Sequence, residues 1–357
     1  MRMAFPTPRR GVICAQGREY GIIRAMKKAL SEYLKSGGSL GSLAERPPKK
    51  QAEAPFPCEA EDVFERQSAA LALRLKRIGV KDVVIGISGG LDSALCLIVA
   101  AEAFRRLKLP ITGIHAYTMP GFGTTRRTKG NAHLLCEGLG IELETIDITA
   151  TTRRHLKDIG HDGVTPDATY ENAQARMRTM ILMDKANMTH GIVLGTGDLS
   201  EIALGWCTYN GDHMSMFGVN SGVPKTVVRK VCAWWAQKRG GLAGKALADI
   251  VATPVSPELV KGQVTEDTLG PYELHDYFIW NFIMNGLDRK DLLAAAKAHF
   301  KGVYPPALVK RTLDTFLSRL VSQAFKRNCA PDGIKIFPFD FSPTSWHIPS
   351  DLPRNIL

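Results

Sequence analysis

Residues 83–87 read Val-Val-Ile-Gly-Ile, an apolar run of the length of a buried strand. A turn with two adjacent glycines follows, and residues 94–107 are then apolar over a helical length. Upstream, Val63, Phe64, Leu71, Leu75 and Ile78 recur at helical spacing, which predicts an amphipathic helix over 61–78. Downstream, the pattern predicts a strand at 111–117 and a glycine- and hydroxyl-rich loop at 119–125. A helix over 128–139, ended by Gly140, and a strand at 141–148 come next. The polar stretch 159–168 reads as a mobile loop. A long helix is predicted over 170–187, with Met177, Met180 and Ile181 filling the core, and a strand at 191–195 opens into a turn and helix at 196–201. Residues 206–223 read as loop. Pro224 suits the first position of a helix over 223–237, which carries Trp234 and Trp235 as core or interface residues. Helices at 272–285, 290–300 and 306–319 complete the pattern, with a proline- and aromatic-rich surface tail at 328–357. Strand and helix alternate, so the fold class expected is α/β, a doubly wound parallel sheet with a helical C-terminal part from about residue 224. Ligands of such sheets sit at the carboxyl ends of the strands.

Composition narrows the class. With 45% hydrophobic and 23% charged residues, the chain matches ordinary globular proteins, and no apolar run is long enough to span a bilayer. No secretory signal pattern opens the chain. The seven cysteines are scattered without a Cys-x-x-Cys pair. They read as free thiols of a reducing, cytoplasmic setting, with neither zinc nor structural disulfide expected. Most of the +11 formal charge sits in the first 50 residues, where eleven Lys/Arg face three acidic side chains. Residues 1–57, with linker-like 36–42 and Pro47-Pro48, therefore read as a basic, loosely ordered extension before a folded domain at 58–357. A solvated tail is favoured over nucleic-acid contact or organelle targeting.

Candidate chemistry concentrates after the first strand. Glycines at 86, 89 and 90 let backbone N–H groups approach an anion, the following helix start adds its dipole, and Ser88 and Ser93 add hydroxyls. Asp92 beside phosphate would be repulsive without an intervening cation, so it argues for Mg²⁺. No Gly-Lys-Ser/Thr follows, so this is not the kinase-type loop. The stretch Ser88-Gly89-Gly90-Leu91-Asp92-Ser93 instead resembles the PP-loop of the ATP pyrophosphatases, which split ATP between its α and β phosphates.

Further motifs sharpen that resemblance. Tyr170-Glu-Asn-Ala-Gln-Ala-Arg-Met-Arg178, Gly195-Thr-Gly-Asp-Leu-Ser-Glu201, Gly205-Trp-Cys-Thr-Tyr209, Gly222-Val-Pro-Lys-Thr226 and Phe325-Lys-Arg327 resemble, in order and spacing, NAD⁺ synthetase. The likeness is to the synthetase domain of the glutamine-dependent bacterial enzymes, from about residue 64 to 351. It implies ATP-dependent amidation of deamido-NAD⁺ through an acyl adenylate, releasing pyrophosphate and AMP, in a homodimer. It also implies that Gly86, Ile87, Ser88, Gly89, Gly90, Leu91, Asp92, Ser93 and Thr196 bind ATP. Asn172, Arg178, Glu201, Trp206, Cys207, Thr208, Tyr209 and Lys326 would line the deamido-NAD⁺ site. Asp92 and Glu201 would hold Mg²⁺, and Asp92 and Lys326 would be catalytic.

Blander readings stand beside these. Asn172 can cap its helix, Arg176 and Arg178 can be a solvated face, Glu201 can be a first-turn acid favoured by the dipole, and Trp206 can be core. Lys225 is a weak candidate, because lysine at a helix start opposes the dipole. His115, His161 and His213 read as surface or satisfied histidines. The residues before the loop leave no room for a glutaminase domain with its Glu-Lys-Cys site, so free ammonia or a separate glutaminase is the expected nitrogen source. The stretch Cys207-Thr-Tyr-Asn-Gly-Asp212 lacks the lysine usual in the ammonia-dependent branch. The alternatives are another PP-loop enzyme, of tRNA-modifying or amidotransferase type, or a non-catalytic nucleotide-binding module.

Overall fold

A computed structural model describes residues 49–124, 126–253, 265–327 and 336. The basic segment 1–48 and nearly all of the tail 328–357 lie outside the described residues. Among the described residues five strands form the sheet: β1 (Val83–Gly86), β2 (Ile114–Thr118), β3 (Leu143–Thr145), β4 (Ile192–Gly195) and β5 (Phe217–Gly218). Their order is β3-β2-β1-β4-β5, and every pairing is parallel. The chain winds outward from β1 to β2 and β3, then returns to the other side of β1 for β4 and β5. The topological switch point, and the crevice it opens, therefore lies at the carboxyl ends of β1 and β4.

The central strands are buried on both faces, as a parallel sheet requires, while the edge strand β3 is largely exposed. Val83 and Ile85 face the larger core with α1 (Ala60–Ile78), α2 (Leu91–Leu107) and α3 (Arg126–Leu139). Val84, Tyr117 and Val193 face a smaller cluster. Short α4 (Thr149–Asp158) precedes α5 (Ala168–Thr189), which covers that second face through Met177 and Ala186. Beyond β4 come α6 (Leu199–Leu204), α7 (Lys225–Arg239), α8 (Gly241–Val251) and α9 (Thr265–Leu269), then α10 (Tyr272–Ile283), α11 (Arg289–His299), α12 (Pro306–Ser322) and α13 (Ala324–Arg327). Helix α10 is buried on all sides, which explains an apolar pattern with little amphipathic contrast. No helix among the described residues is long and apolar enough to cross a membrane.

Several expectations change. Residues 111–113 form a 3₁₀ turn, and the strand begins at Ile114. The strand expected at 141–148 is regular only over β3, although Ile146 and Ile148 still donate to the carbonyls of Thr118 and Pro120 at 2.9 and 3.1 Å. Met180 is 51% exposed, not core, because the apolar residues of α5 are spread around the helix; Met177 is buried as expected. Helix α4 is absent from the pattern because it buries only Thr152 and Leu156. Helix α8 is hidden by Gly240, Gly241 and Gly244, which look like a break. Gly244 is there because a Cβ would come within 2.6 Å of the Ala236 carbonyl. Pro224 caps α7, and the helix proper starts at Lys225.

Candidate active site

The glycine loop after β1 is rigid by its own bonds. Gly89 adopts φ +84°, which favours glycine. Ser88 Oγ accepts from Gly90 N–H at 3.1 Å and lies 3.1 Å from Ser93 Oγ, which also lies 3.1 Å from the Gly90 carbonyl. Ile87 N–H donates to the Tyr117 carbonyl at 2.7 Å, fixing the loop to β2. Gly90 is the N-cap of α2, so the loop hands over directly to a helix N-terminus. Leu91 turns into the core.

The turn after β4 meets this loop. Asn220, fully buried, donates through Nδ2 to the carbonyls of Asp92 and Thr196, both at 2.9 Å. Its own Oδ1 accepts from Gln67 Nε2 at 3.1 Å. One amide thus clamps the segments that follow β1 and β4 together. Asp198 starts α6 with a capping box: its carboxylate accepts from Glu201 N–H at 2.7 Å, and Glu201 Oε2 accepts from Asp198 N–H at 3.3 Å. The box holds both carboxylates on the side of Asp92.

Lys225, the first residue of α7, completes the group. Its Nζ lies 2.6 Å from Asp92 Oδ2, 2.9 Å from Glu201 Oε1 and 3.1 Å from Asp198 Oδ2. The lysine side chain is 2% exposed. Its ammonium also sits 5.3 Å from the centre of the Tyr272 ring. Burial alone would depress the lysine, but Asp198, Asp92 and Glu201 outweigh it and hold the ammonium well above its ordinary value. Burial pushes the Glu201 carboxyl up to about 7 and Asp198 upward too, against the pull of Lys225. A lysine that opposes its helix dipole is explained by these three carboxylates.

The three carboxylates each offer an oxygen within 4.8 Å of the others. Asp92 Oδ1 is buried with no hydrogen-bond partner. An unpaired buried acceptor in an all-oxygen donor set fits a hard divalent cation. Asp198 joins the expected metal pair of Asp92 and Glu201, and the Lys225 ammonium is the ion-pair partner of all three. Asp198-x-x-Glu201 has the spacing of a capping box, and Lys225 stands in the Gly222–Thr226 motif although its place at a helix start makes it a weak candidate; no local signal points to Asn220.

The 206–209 segment forms a second wall. Thr208 Oγ1 donates to Asn172 Oδ1 at 2.8 Å, and Arg176 Nε donates to the Tyr209 carbonyl at 3.2 Å, so α5 holds this wall. Asn172 is not a cap; Asp167 caps α5, accepting from Tyr170 N–H at 2.9 Å. Tyr209 packs between His213 and Phe325. Trp206 lies under the Arg319 guanidinium at 5.1 Å. Lys326 Nζ donates to the carbonyls of Gly205 and Cys207 at 3.0 and 2.6 Å, and burial pulls its pKa down. It therefore bonds the backbone of the wall. Burial pushes the Cys207 thiol up to about 12, so it is no thiolate nucleophile. Arg178 Nε donates to the Met119 carbonyl at 3.0 Å, beside Gly121.

A parallel sheet with a glycine–serine loop, an acidic metal-type cluster and a buried lysine at its switch point defines a nucleotide-binding α/β protein of PP-loop type. Residues 63–310 match the NAD synthase family, and the chain belongs to that family. It is 38% identical over 328 residues to the glutamine-dependent NAD(+) synthetase of Mycobacterium leprae, covering 83% of this chain and 48% of the relative. Identity to the enzyme of the same name from Thermotoga maritima is 31% over 299 residues, again covering 83% and 48%. The chain thus spans about half the length of the curated relatives it matches. The fold is shared with a glutamine-dependent NAD(+) synthetase from Cytophaga hutchinsonii, at TM-score 0.69 and 20% identity over 82% of this chain and 54% of that one. It is also shared with NMN synthetase from Francisella tularensis, at TM-score 0.55 and 23% identity over 69% and 95%.

Proposed function

We propose that the chain amidates deamido-NAD⁺ to NAD⁺ at the expense of ATP, forming AMP and pyrophosphate. A carboxylate is a poor acyl donor. Attack of its oxygen on the α phosphorus of ATP expels pyrophosphate and leaves an acyl adenylate. Ammonia then adds to the acyl carbon, AMP departs, and a proton is lost. The observation that carries the reading is the Lys225 ammonium among Asp92, Asp198 and Glu201, at the mouth of the glycine–serine loop. Burial opposes ionisation of Glu201 and Asp198 beside Asp92, and a divalent cation would favour their charged forms.

Asp92 and Glu201 would hold Mg²⁺, with Asp198 behind them, and bound Mg²⁺ supplies charge neutralisation between carboxylates and phosphates. The loop from Gly86 to Ser93, with Thr196, is suited to the ATP phosphates through hydroxyls, backbone N–H groups and the start of α2. Lys225 is the cation placed to meet charge developing on the phosphates as they separate. Asn172 and the 206–209 wall, kept in place by Lys326, are suited to the nicotinate end of the dinucleotide. The nitrogen source is ammonia, taken directly or from a separate glutaminase. A cytoplasmic homodimer completes the proposal.

The test is turnover of purified protein with ATP, Mg²⁺ and deamido-NAD⁺, with ammonium or glutamine in separate reactions. NAD⁺ and AMP in equal amounts from ammonium are expected. Neither product from either donor, in folded protein that binds ATP, overturns the proposal.

A further inference from the structure

Asp276, on α10, lies outside the site described and is fully buried. A buried carboxylate persists only where donors compensate its lost hydration, and here the donors are specific. Oδ2 accepts from Thr226 N–H at 2.9 Å and from Thr226 Oγ1–H at 2.6 Å. Oδ1 accepts the hydroxyl of Ser200. Ser200 Oγ in turn accepts from Lys225 N–H at 2.9 Å.

These bonds join two helix starts. Helix α7 begins with Pro224 at its N-cap, a residue with no side-chain oxygen, so its first N–H groups have no local cap. They are capped from elsewhere: Lys225 N–H by Ser200 and Thr226 N–H by Asp276. Ser200 is itself in the first turn of α6, flanked by Leu199 and Glu201, and two residues from Asp198. One carboxylate thus fixes the start of α7 to the start of α6. It also places negative charge at a helix N-terminus whose own first side chain is cationic.

We infer that Asp276 is a positioning residue, which sets the Lys225 ammonium against Asp198, Glu201 and Asp92 by locking α7 to α6. This rests on the proposed amidation only for its effect on turnover; the placement of Lys225 is read separately. Misplacing a group in a preorganised site by about 1 Å can cost about a hundredfold in rate.

The experiment compares Asp276→Asn, Thr226→Val and Thr226→Ser with wild type. The first readout is ¹⁵N NMR of the lysine ammonium groups in ligand-free protein. Lys225 has three acceptors for its three N–H bonds and should give a slowly exchanging signal. The signal is expected to be lost or shifted in Asp276→Asn and Thr226→Val and restored in Thr226→Ser, which keeps the hydroxyl. The second readout is steady-state amidation. In Asp276→Asn, kcat is expected to fall by about tenfold or more, with KM for deamido-NAD⁺ within about twofold. An unchanged lysine signal in folded Asp276→Asn and Thr226→Val overturns the inference, as does wild-type kcat in both. Should Asp276→Asn fail to fold, the Thr226 pair decides alone. A wild type that makes no NAD⁺ sinks the proposed amidation, and the lysine signal still judges Asp276.

Discussion

Replacing Lys225 by methionine keeps the length of the side chain and removes its charge. The wild-type ammonium lies 2.6, 2.9 and 3.1 Å from three carboxylates. At an effective dielectric near 20, each such contact is worth roughly 5–6 kcal/mol of Coulomb attraction, and each carboxylate pair, within 4.8 Å, at least about 3.5 kcal/mol of repulsion. Attraction wins while the lysine is present. In Lys225→Met the repulsions stand unopposed, and the buried carboxyls hold protons instead. Breaking a buried ion group this way costs about 3–5 kcal/mol. The loss must depend on pH. Carboxyls with raised folded-state pKa bind protons more tightly folded than unfolded, so stability falls as pH rises through the gap between the two states. Urea unfolding at pH 5.5 and 8, with and without Mg²⁺, reads this. The variant should lose stability chiefly at pH 8, and Mg²⁺ should stabilise it more than it stabilises wild type. A loss equal at both pH values, or no loss at pH 8, would refute the electrostatic account of the cluster.

Other predictions follow from single features. Asp92→Asn should lower AMP formation at least about a hundredfold, with an unchanged melting temperature; wild-type turnover would remove Asp92 from the metal site. His275 is fully buried, its Nε2–H donates to the Leu269 carbonyl at 2.9 Å, and burial pushes its pKa down from 6.5 to about 4. The unfolded chain therefore binds the extra proton first, and wild type should lose about 3 kcal/mol as pH falls from 6.5 to 4. His275→Gln should show a smaller acid-linked loss in urea titrations across that range. Gly138→Ala should cost about 1–3 kcal/mol, because the new Cβ would collide with the Ala243 backbone where α3 meets α8. Gly130→Ala on the same helix, with nothing within 4 Å of its Cβ, should be neutral or stabilising by thermal melt.

The sequence was most legible where burial is periodic or complete. The runs behind β1 and β4, the amphipathic α1 and α12, and the glycine–serine loop all survive almost unchanged, because each is decided within a few residues. It was least legible where an element owes its existence to a neighbour. Strand β5 is two residues pairing Leu194 and Gly195 with Phe217 and Gly218, too short for any period. Helix α8 tolerates its glycines because α7 crosses close by. The site divides the same way. Asp92 and Glu201 stand in recognisable local motifs. Lys225 argues against itself locally, since its reason lies 133 and 24 residues away in Asp92 and Glu201. Lys326 stands in a local motif, but its bonds to the Gly205 and Cys207 carbonyls span 121 and 119 residues and are not visible locally.

The carbonyl end of α6 and the turn beyond it are tied by cations from far along the chain. Arg319 donates to Leu204, Lys326 to Gly205 and Cys207, and Arg327 to Ala203, across separations of 115 to 124 residues. At about 5–20 residues per second of synthesis, these partners emerge from the ribosome roughly 6–25 s after the carbonyls they bind. The sheet and its glycine loop can form in that interval. Within the 206–209 wall, the bonds to Asn172 and Arg176 can form in that interval, because those partners precede it in the chain. The carbonyls of Ala203, Leu204, Gly205 and Cys207 lack these cationic donors until the C-terminal helices have been made. Translation thus sets the earliest moment at which the wall can take its final form.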